Sequence, residues 1–469
     1  MLRSLFILAI LVPGLVASVR SRYAALVMYL WFALFRPQDW LWIDINRFRL
    51  SLVIGVLLLV PGLASGIAPN VTHPISIGMI MFLLSALMAQ VHAVNPAFGW
   101  VWVDFMVRLV LACMMITTLA DNSKRLAGVI GVIGGSLGFH AAKAGLAFVL
   151  GGGTRFADGL SGAFVDNNGY ALGTVMIMPL LVVTAQNIDL LYDGAYLKWV
   201  RRGLYAAVVF CMFAVVGTYS RGGFLSLTGG GLAYVLLQKR RFTVLAAVFA
   251  VVSILLAVVP IPDAYLARLQ TIQTYKEVGE DSALSRPHFW QVGIRMAADN
   301  PFGIGIKQYE FAYDKYDFLH GRFGHKRAVH SSHVQVLAEE GYFGEAVWIG
   351  LFLFAFYSCI RVRARSKSDR IDARTAYFLF TSANGLIVSM TGFLIGGTFL
   401  SLSLNDLTWL TFGMVAALDR MSARMLAEPA AERLTVAAPV VPLAFRVVPS
   451  YSSPAIVSGF GRPVRGKGL

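Results

Sequence analysis

The chain contains 469 residues, of which 57% are hydrophobic and only 14% are charged, and its mean hydropathy is +0.67. This composition excludes a soluble globular protein and predicts an integral membrane protein. Basic loops on the cytoplasmic side of a membrane account for the formal net charge of +15, so this charge does not indicate a nucleic-acid partner. Cys113, Cys211 and Cys359 lie in apolar runs without disulfide or metal spacing, and we expect them to be packing residues.

Apolar segments that are long enough to cross a hydrocarbon core of about 30 Å recur along most of the chain. The candidate spans are residues 4–19, 23–35, 50–67, 74–92, 100–120, 126–150, 169–187, 203–218, 223–237, 242–260, 345–361, 375–393 and 396–418. They predict an all-α, polytopic helical bundle. Because the first two candidates are each short of a full crossing, we interpret them as one broken span, which gives about 12 transmembrane helices with both chain ends in the cytoplasm.

Lysine and arginine residues assign the two sides of the predicted bundle. They cluster in short loops, above all in "RVRARSKSDRIDAR" (361–374), and these loops share one side if the spans alternate. The opposite, outer side then carries the loops 35–48, 151–168 and 219–223 and the long polar segment 261–344. Any chemistry is therefore expected on the outer face.

The same pattern divides the chain into four regions. A transmembrane bundle covers residues 1–260, and an outer loop domain with amphipathic helices covers residues 261–344. Further transmembrane helices cover residues 345–426. The tail, residues 427–469, is rich in Ala, Pro, Ser and Gly without a sustained period, so we expect it to be disordered and cytoplasmic.

His140 and Lys143 lie inside an apolar run, where ionisable residues point to a function by default. A polar path through the bundle and a lysine that snorkels towards the interface are both open interpretations.

The stretch "HSSHVQVLAEEGYFG" (330–344) ends the outer segment directly before an apolar span. Ser332 followed by Gln335 fits a capping box, which predicts a short helix that starts at His333 and ends at Gly341. His330 would then lie just before the helix N-terminus, where the helix dipole favours a neutral imidazole.

His330 and His333 each have more than one interpretation. A neutral His330 could accept a proton, or it could be an interfacial histidine without a chemical role. His333, about one turn further on, is expected to face solvent or a neighbouring helix. We expect no metal site, because no third or fourth ligand stands at suitable spacing.

Several motifs together resemble the superfamily of O-antigen ligases and O-antigen polymerases, and most closely its ligases. They are "GAFVDNNGYA" (162–171), "TYSRGGFLSL" (218–227), "SRPHFWQVGIRMAADNPFGIGIKQY" (285–309) and "HSSHVQVLAEEGYFG" (330–344). Glu339, Gly341 and Gly344 align His330 with the family's histidine, although Ser331 follows it where relatives usually have asparagine, and His333 is the alternative. The N-terminal "YLWFALFRPQDWLW" (29–42) is also similar to exosortase-associated ligases of protein O-glycosylation.

The resemblance implies a glycosyltransferase that is fixed in the bacterial inner membrane with its site facing the periplasm. It would move polysaccharide from undecaprenyl diphosphate to the core sugars of lipid A, without metal or cofactor and with inversion at the anomeric carbon. The partners would then be the lipid-linked donor, the lipid A core acceptor and membrane lipids, while the oligomeric state stays open.

The resemblance also implies roles for individual residues. His330 would be the general base, and Arg221 and Arg286 would bind the diphosphate, since arginine grips two phosphate oxygens at once. Asp166 and Asn168 could orient sugar hydroxyls or His330, or could instead cap the helix that begins near them. Glu339 is half a helical turn out of phase with His330, so a structural contact is expected for it.

Two other assignments remain open. The same chemistry with another acceptor would make the protein a repeat-unit polymerase or a protein-glycosylating ligase. A transporter of lipid-linked sugars would use the arginines to bind cargo and His330 to carry protons.

Overall fold

The computed structural model describes residues 2–42, 44–153, 164–258 and 281–427, and this part of the chain is all-α. Its helices are α1 (Leu2–Arg20), α2 (Arg22–Phe35), α3 (Leu50–Ala64), α4 (Pro74–Ala89), α5 (Pro96–Leu119), α6 (Ser123–Leu150), α7 (Asn167–Gln186), α8 (Leu197–Gly217), α9 (Arg221–Leu237), α10 (Arg241–Val258), α11 (Asp281–Asp299), α12 (Tyr309–Tyr316), α13 (Ser332–Arg365), α14 (Ala373–Gly397) and α15 (Asp406–Ala427). The predicted disordered tail lies outside the described residues, apart from Ala427.

Eight of the described helices are long and apolar enough to cross a membrane, judged by length and composition. They are α1, α4 to α8, α13 and α14, while α2 and α3 are shorter apolar helices. These helices confirm the prediction of an all-α, polytopic membrane protein.

The first two helices form a hairpin, so the prediction of one broken span was wrong. The Nε atom of Arg3, at the start of α1, donates to the carbonyl oxygen of Trp40, beyond the end of α2, at 2.7 Å. The two helices therefore run side by side in opposite directions. The chain reverses direction at Ser21, which lies between the two helices. The Ser21 Oγ accepts a hydrogen bond from the N–H of Ala24 at 3.3 Å and caps the start of α2.

The prediction of a last span at residues 396–418 was also wrong in its position. Helix α14 ends at Gly397, and α15 begins only at Asp406, where the Asn405 Oδ1 accepts from the N–H of Thr408 at 3.0 Å. Residues 398–405 between these helices form a turn instead of a span. Hydropathy alone does not detect this turn, because Phe399, Leu400, Leu402 and Leu404 give it enough apolar residues to resemble the end of a span.

Helices α7 and α14 form the centre of the bundle. In their apolar windows 89% and 78% of the residues are buried, against 17% in α1. Small residues allow close contact between neighbouring helices, because any Cβ at Gly145 of α6 would collide with the carbonyl oxygen of Phe210 in α8. Helices α6 and α8 therefore pack in close contact.

Residues 281–331, here called the loop segment, contain a second apolar core. Phe289, Val292, Met296, Tyr309 and Tyr313 are buried in it. This core packs α11 and α12 together independently of the bundle core.

A buried hydrogen bond between His288 and Asp317 ties the residue after α12 to α11. The His288 Nε2 lies 2.8 Å from the Asp317 Oδ1, and the Asp317 carboxylate also accepts from the N–H groups of Leu319 and Gly321. Burial raises the pKa of Asp317, but these hydrogen bonds and His288 outweigh it and hold the pKa below its ordinary value. The carboxylate is therefore ionised at neutral pH.

Helix α13 differs from the predicted short helix at both ends. Its N-cap is Ser331, whose Oγ accepts from the N–H of Val334, and the helix starts at Ser332. Ser332 forms no capping box, because its Oγ bonds to the backbone of Leu400 and Leu402. Gly341 interrupts the helix with φ 71° and ψ −172°, but the helix then continues to Arg365.

We expect Gly341→Ala to destabilise the protein, because Gly341 adopts backbone angles that are essentially restricted to glycine. An added Cβ would also collide with the carbonyl oxygen of Pro301, which accepts from the N–H of Tyr342 at 3.0 Å. Strain of this kind costs about 1–3 kcal/mol before the collision is counted. Thermal unfolding in detergent should show a Tm lowered by several degrees. Gly350→Ala is the matched control on α13, since nothing lies within 4 Å of its Cβ position, and an equal loss there would contradict this account.

Candidate functional site

His330 lies near the end of the loop segment, two residues before the start of α13, and backbone contacts position it from two sides. Its φ of 50° is left-handed, which is uncommon for a residue other than glycine. Its N–H donates to the Ser401 Oγ at 2.9 Å, and the Trp290 Nε1 lies 3.5 Å from its carbonyl oxygen. The turn between α14 and α15 therefore helps to hold His330.

The ring of His330 is available for proton transfer. In the described part of the chain, only its backbone atoms form hydrogen bonds, and its ring nitrogens form none. Burial lowers the pKa of His330 below its ordinary value, and the positive charges of Arg286 and Arg327 lower it further, while Asp166 raises it. The imidazole is consequently neutral at pH 7 and can accept a proton.

Arg327 is a site residue that the sequence did not single out. It stands in a run of exposed polar residues before His330, and in the fold its charge acts on the imidazole. In the sequence, Arg327 is one of several basic residues in the loop segment. Only the packing of this segment decides which of these charges lies close enough to act on His330.

Arg286 and the residue that follows Arg221 approach the same aromatic side chain. The Arg286 Cζ lies 5.5 Å from the centre of the Phe399 ring. Arg221 is the first residue of α9, and a Cβ at its neighbour Gly222 would meet the Phe399 Cβ at 3.7 Å. Ser220 caps α9 by accepting from the N–H of Gly223 at 3.0 Å. The fold thus brings the start of α9 and the second turn of α11 to one place.

Asp166 caps α7 and also faces the site. Its Oδ1 accepts from the N–H groups of Asn168 and Gly169 at 2.9 and 3.0 Å, so Asn168 contributes its backbone to the cap. The charge of Asp166 reaches His330. Asn167, which the sequence did not single out, donates from Nδ2 to the carbonyl oxygen of Thr218 at 2.9 Å and ties the start of α7 to the turn before α9.

Three helix N-termini converge on this site. The Asn167 bond joins the starts of α7 and α9, and Phe399 touches the start of α9. Next to Phe399, the carbonyl oxygen of Leu400 accepts from the Ser332 Oγ at the start of α13. The positive ends of the three helix dipoles and the arginines together form a site for an anion.

His333 lies in a different environment from His330. The Trp348 Nε1 donates to the His333 Nδ1 at 3.2 Å, and the His333 Nε2 lies 3.4 Å from the carbonyl oxygen of Leu394. Because Nδ1 must accept, the proton is on Nε2. The His333 ring thus bonds to Trp348 within α13 and lies against the backbone of α14, which leaves neither nitrogen for a substrate.

Glu339 supports the loop segment. Its carboxylate accepts from the N–H groups of Lys307 and Tyr309 at 3.0 and 3.3 Å and from the Gln335 Nε2 at 3.0 Å. These bonds attach the start of α12 and the turn before it to α13. Glu339 is therefore a structural residue that connects the loop segment to α13.

His140 and Lys143 pack against the turn that follows α2. The His140 Nε2 lies 3.0 Å from the carbonyl oxygen of Phe35, which is the last residue of α2, and the Lys143 Nζ lies 4.7 Å from the centre of the Trp40 ring. A helix end in a membrane needs a partner for its last carbonyl groups, and His140 supplies one.

The described residues contain no group of three or more His, Cys, Asp or Glu side chains that could hold a metal ion.

Residues 206–349 match the family model described as O-antigen ligase. The chain is similar to this family over that segment, which contains Arg221, Arg286, Arg327 and His330, whereas Asp166 lies before it and Phe399 after it. Residues 2–187 match a family of unknown function, and no curated protein matches the chain. The match supports an enzyme of the ligase and polymerase kind, and the apolar helices support a multi-pass membrane protein.

Proposed function

We propose that this protein is an O-antigen ligase that transfers polysaccharide from undecaprenyl diphosphate to a core sugar of lipid A. The observation that carries the proposal is a neutral histidine with unbonded ring nitrogens, placed among arginine side chains where three helix N-termini meet. This arrangement fits a reaction in which a hydroxyl loses a proton while a diphosphate leaves.

In the proposed step, the acceptor hydroxyl oxygen attacks the anomeric carbon of the donor sugar and forms the new glycosidic bond. The bond between that carbon and the diphosphate oxygen breaks, and its electron pair leaves with the diphosphate. His330 takes the hydroxyl proton. A single displacement of this kind inverts the anomeric carbon, and Asp166 stabilises the imidazolium that forms because its charge raises the pKa of His330.

The arginines and the helix N-termini stabilise the leaving diphosphate. Negative charge grows on its bridging oxygen as the bond breaks, and fixed cations at that place lower the barrier. Arg221 and Arg286 would bind the phosphate oxygens, and Arg327 would add a third positive charge beside His330. The arginines and the helix N-termini of the protein thus balance the negative charge of the diphosphate.

The proposed site lies on the periplasmic side of the inner membrane, where both lipid-linked substrates are accessible. This location rests on the resemblance and on the basic loops, such as 361–374, that mark the opposite side.

The test is transfer by the purified protein in detergent, with undecaprenyl-diphosphate-linked polysaccharide and lipid A core as substrates. We expect a new glycosidic bond to lipid A core, with inverted configuration and with undiminished rate after treatment with a chelator. Growth of the glycan on the donor lipid would instead show a polymerase, and transfer to protein alone a protein ligase. A protein that binds the donor but forms no glycosidic bond with any of these acceptors would be a transporter. Loss of activity with the chelator, and its return with a divalent ion, would contradict the metal-free mechanism.

A further inference from the structure

A cavity of about 440 Å³ lies between α2, α3, α5 and the start of α15. Its wall is mostly apolar, with Leu30, Leu59, Phe105 and Leu109 among the lining side chains. Ligand sites in proteins commonly have volumes of roughly 300–1,000 Å³, so the cavity is large enough for part of a small molecule. No step of the proposed reaction uses it.

The cavity borders on the surface of α3 that would face lipid. Leu52, Val56 and Val60 line the cavity and are also 48%, 47% and 59% exposed. In a membrane protein such an exposed apolar face contacts acyl chains. A lipid chain can therefore enter the cavity sideways from the bilayer.

Arginine side chains form the charged part of the cavity wall. Arg36, Arg49 and Arg108 all line it. Arg36 pairs with Asp39 at 3.3 Å, and Arg108 pairs with Asp104, but all four side chains are about a third to two thirds exposed. Arg36 lies beyond the end of α2, where an exposed pair contributes little to stability, so its guanidinium group can turn to a phosphate group without a large loss. Arg108 lies within the span α5 and keeps its pair with Asp104, and its remaining N–H groups can donate to the same phosphate.

Arg49 and Asp406 have no such partners. Among the residues that the structure describes, neither forms an ion pair or a side-chain hydrogen bond, although Arg36 lies close enough to Asp406 to act on it electrostatically. Asp406 is the first residue of α15 and is partly exposed towards the cavity. The wall thus offers an excess of cations together with one carboxylate.

We propose that this cavity binds a phospholipid whose headgroup carries both a phosphate and an ammonium group, as phosphatidylethanolamine does. One acyl chain fills the apolar space between α2, α3 and α5. The phosphate lies at Arg36, Arg49 and Arg108, and the ammonium group lies at Asp406. The proposal does not depend on glycan transfer, because binding alone defines it.

The test is binding of dioleoylphosphatidylethanolamine to the delipidated full-length protein in detergent. We expect one tightly bound lipid by native mass spectrometry and a rise in Tm on the order of 5 °C at saturating lipid. Dioleoylphosphatidylglycerol, which lacks the ammonium group, should bind more weakly. Undecaprenyl phosphate is the third probe, because it has a phosphate and an apolar chain but no ammonium group.

Three variants separate the parts of the site. Gly55→Leu should abolish the Tm rise, because Gly55 lines the cavity and its Cβ position meets only the Tyr29 ring, at 3.7 Å, so a larger side chain fills the space. Arg49→Gln should weaken binding of both phospholipids by roughly tenfold, as expected for the loss of a charged hydrogen bond. Asp406→Asn should remove the preference for phosphatidylethanolamine over phosphatidylglycerol.

The controls are Gly231→Leu, a glycine of α9 with nothing within 4 Å of its Cβ position, and Arg47→Gln, an exposed arginine that does not line the cavity. Both should bind lipid like the unmodified protein. If Arg49→Gln, Asp406→Asn and Gly55→Leu each fold and still show the full lipid effect, the cavity is not the site and the proposal fails. Tighter binding of undecaprenyl phosphate than of either phospholipid would also overturn it, since the occupant would then be a polyprenyl chain.

Discussion

His330→Gln is expected to lower the rate of glycan transfer by about 10²–10⁴-fold, the usual contribution of a general base. Glutamine keeps a polar side chain of similar reach but cannot take up a proton. The backbone bond between the N–H of His330 and Ser401 remains, so the loop segment should keep its place. Turnover of the purified variant with lipid-linked donor and lipid A core measures the effect.

Binding of the donor should survive in the same variant. The diphosphate is assigned to arginines and helix N-termini, and removing a neutral ring takes away no positive charge. The affinity for undecaprenyl diphosphate, measured without acceptor, should therefore change by less than about tenfold, or 1.4 kcal/mol. An equally large loss of donor affinity and of transfer rate would show that His330 binds the donor instead of accepting the proton.

His333→Gln is the matched control. Its imidazole accepts from the Trp348 Nε1 inside the bundle, so we expect a lower Tm and a nearly normal rate for each folded molecule. Full activity in His330→Gln together with lost activity in His333→Gln would reassign the base to His333.

Arg286→Gln is expected to weaken donor binding, to reduce turnover by about 10²-fold and to shift the pH dependence of transfer. The active form of His330 is the neutral one, so activity should be present above the pKa of His330 and lost as the pH falls through it. Burial and the charges of Arg286 and Arg327 lower this pKa. Removing the charge of Arg286 should raise the pKa, and the acid side of the pH profile should move to higher pH.

Arg295→Gln provides the control for this experiment. Arg295 lies on the same helix, α11, but its guanidinium packs 3.9 Å from the centre of the Phe318 ring. Its removal should leave the acid side of the profile unchanged. An unshifted profile in Arg286→Gln, with donor binding reduced, would place Arg286 at the phosphates but too far from the base to influence it.

Hydropathy and motif order were sufficient for much of this protein. The span predicted at 375–393 lies within α14, Ala373–Gly397, because a stretch of that length and apolarity is stable in a bilayer only as a helix. His330, Arg221 and Arg286 were predicted as site residues because each stands in a short motif of recognisable order. The match of residues 206–349 to the family model described as O-antigen ligase agrees with that order, since all three residues lie within it.

The errors arose where tertiary contacts competed with local pattern. The turn between α14 and α15 contains large apolar residues such as Phe399 and Leu400, and it is held as a turn because Ser401 and Leu400 bond to His330 and Ser332. Ser332 looked like a helix cap, but its hydroxyl bonds to this distant turn, and the cap passed to Ser331. A local pattern cannot predict such changes of hydrogen-bond partner, since the two residues that bond come from distant parts of the chain.

Local residue order is sufficient to predict a helical membrane protein and to single out His330, because burial in lipid and short motifs can both be read from neighbouring residues. The groups around His330 depend on the tertiary structure. The charges of Arg286, Arg327 and Asp166 and the hydroxyl of Ser401 reach His330 from different elements of the fold. Burial and the two arginines lower the pKa of His330 while Asp166 raises it, and these effects depend on distances that no single segment contains.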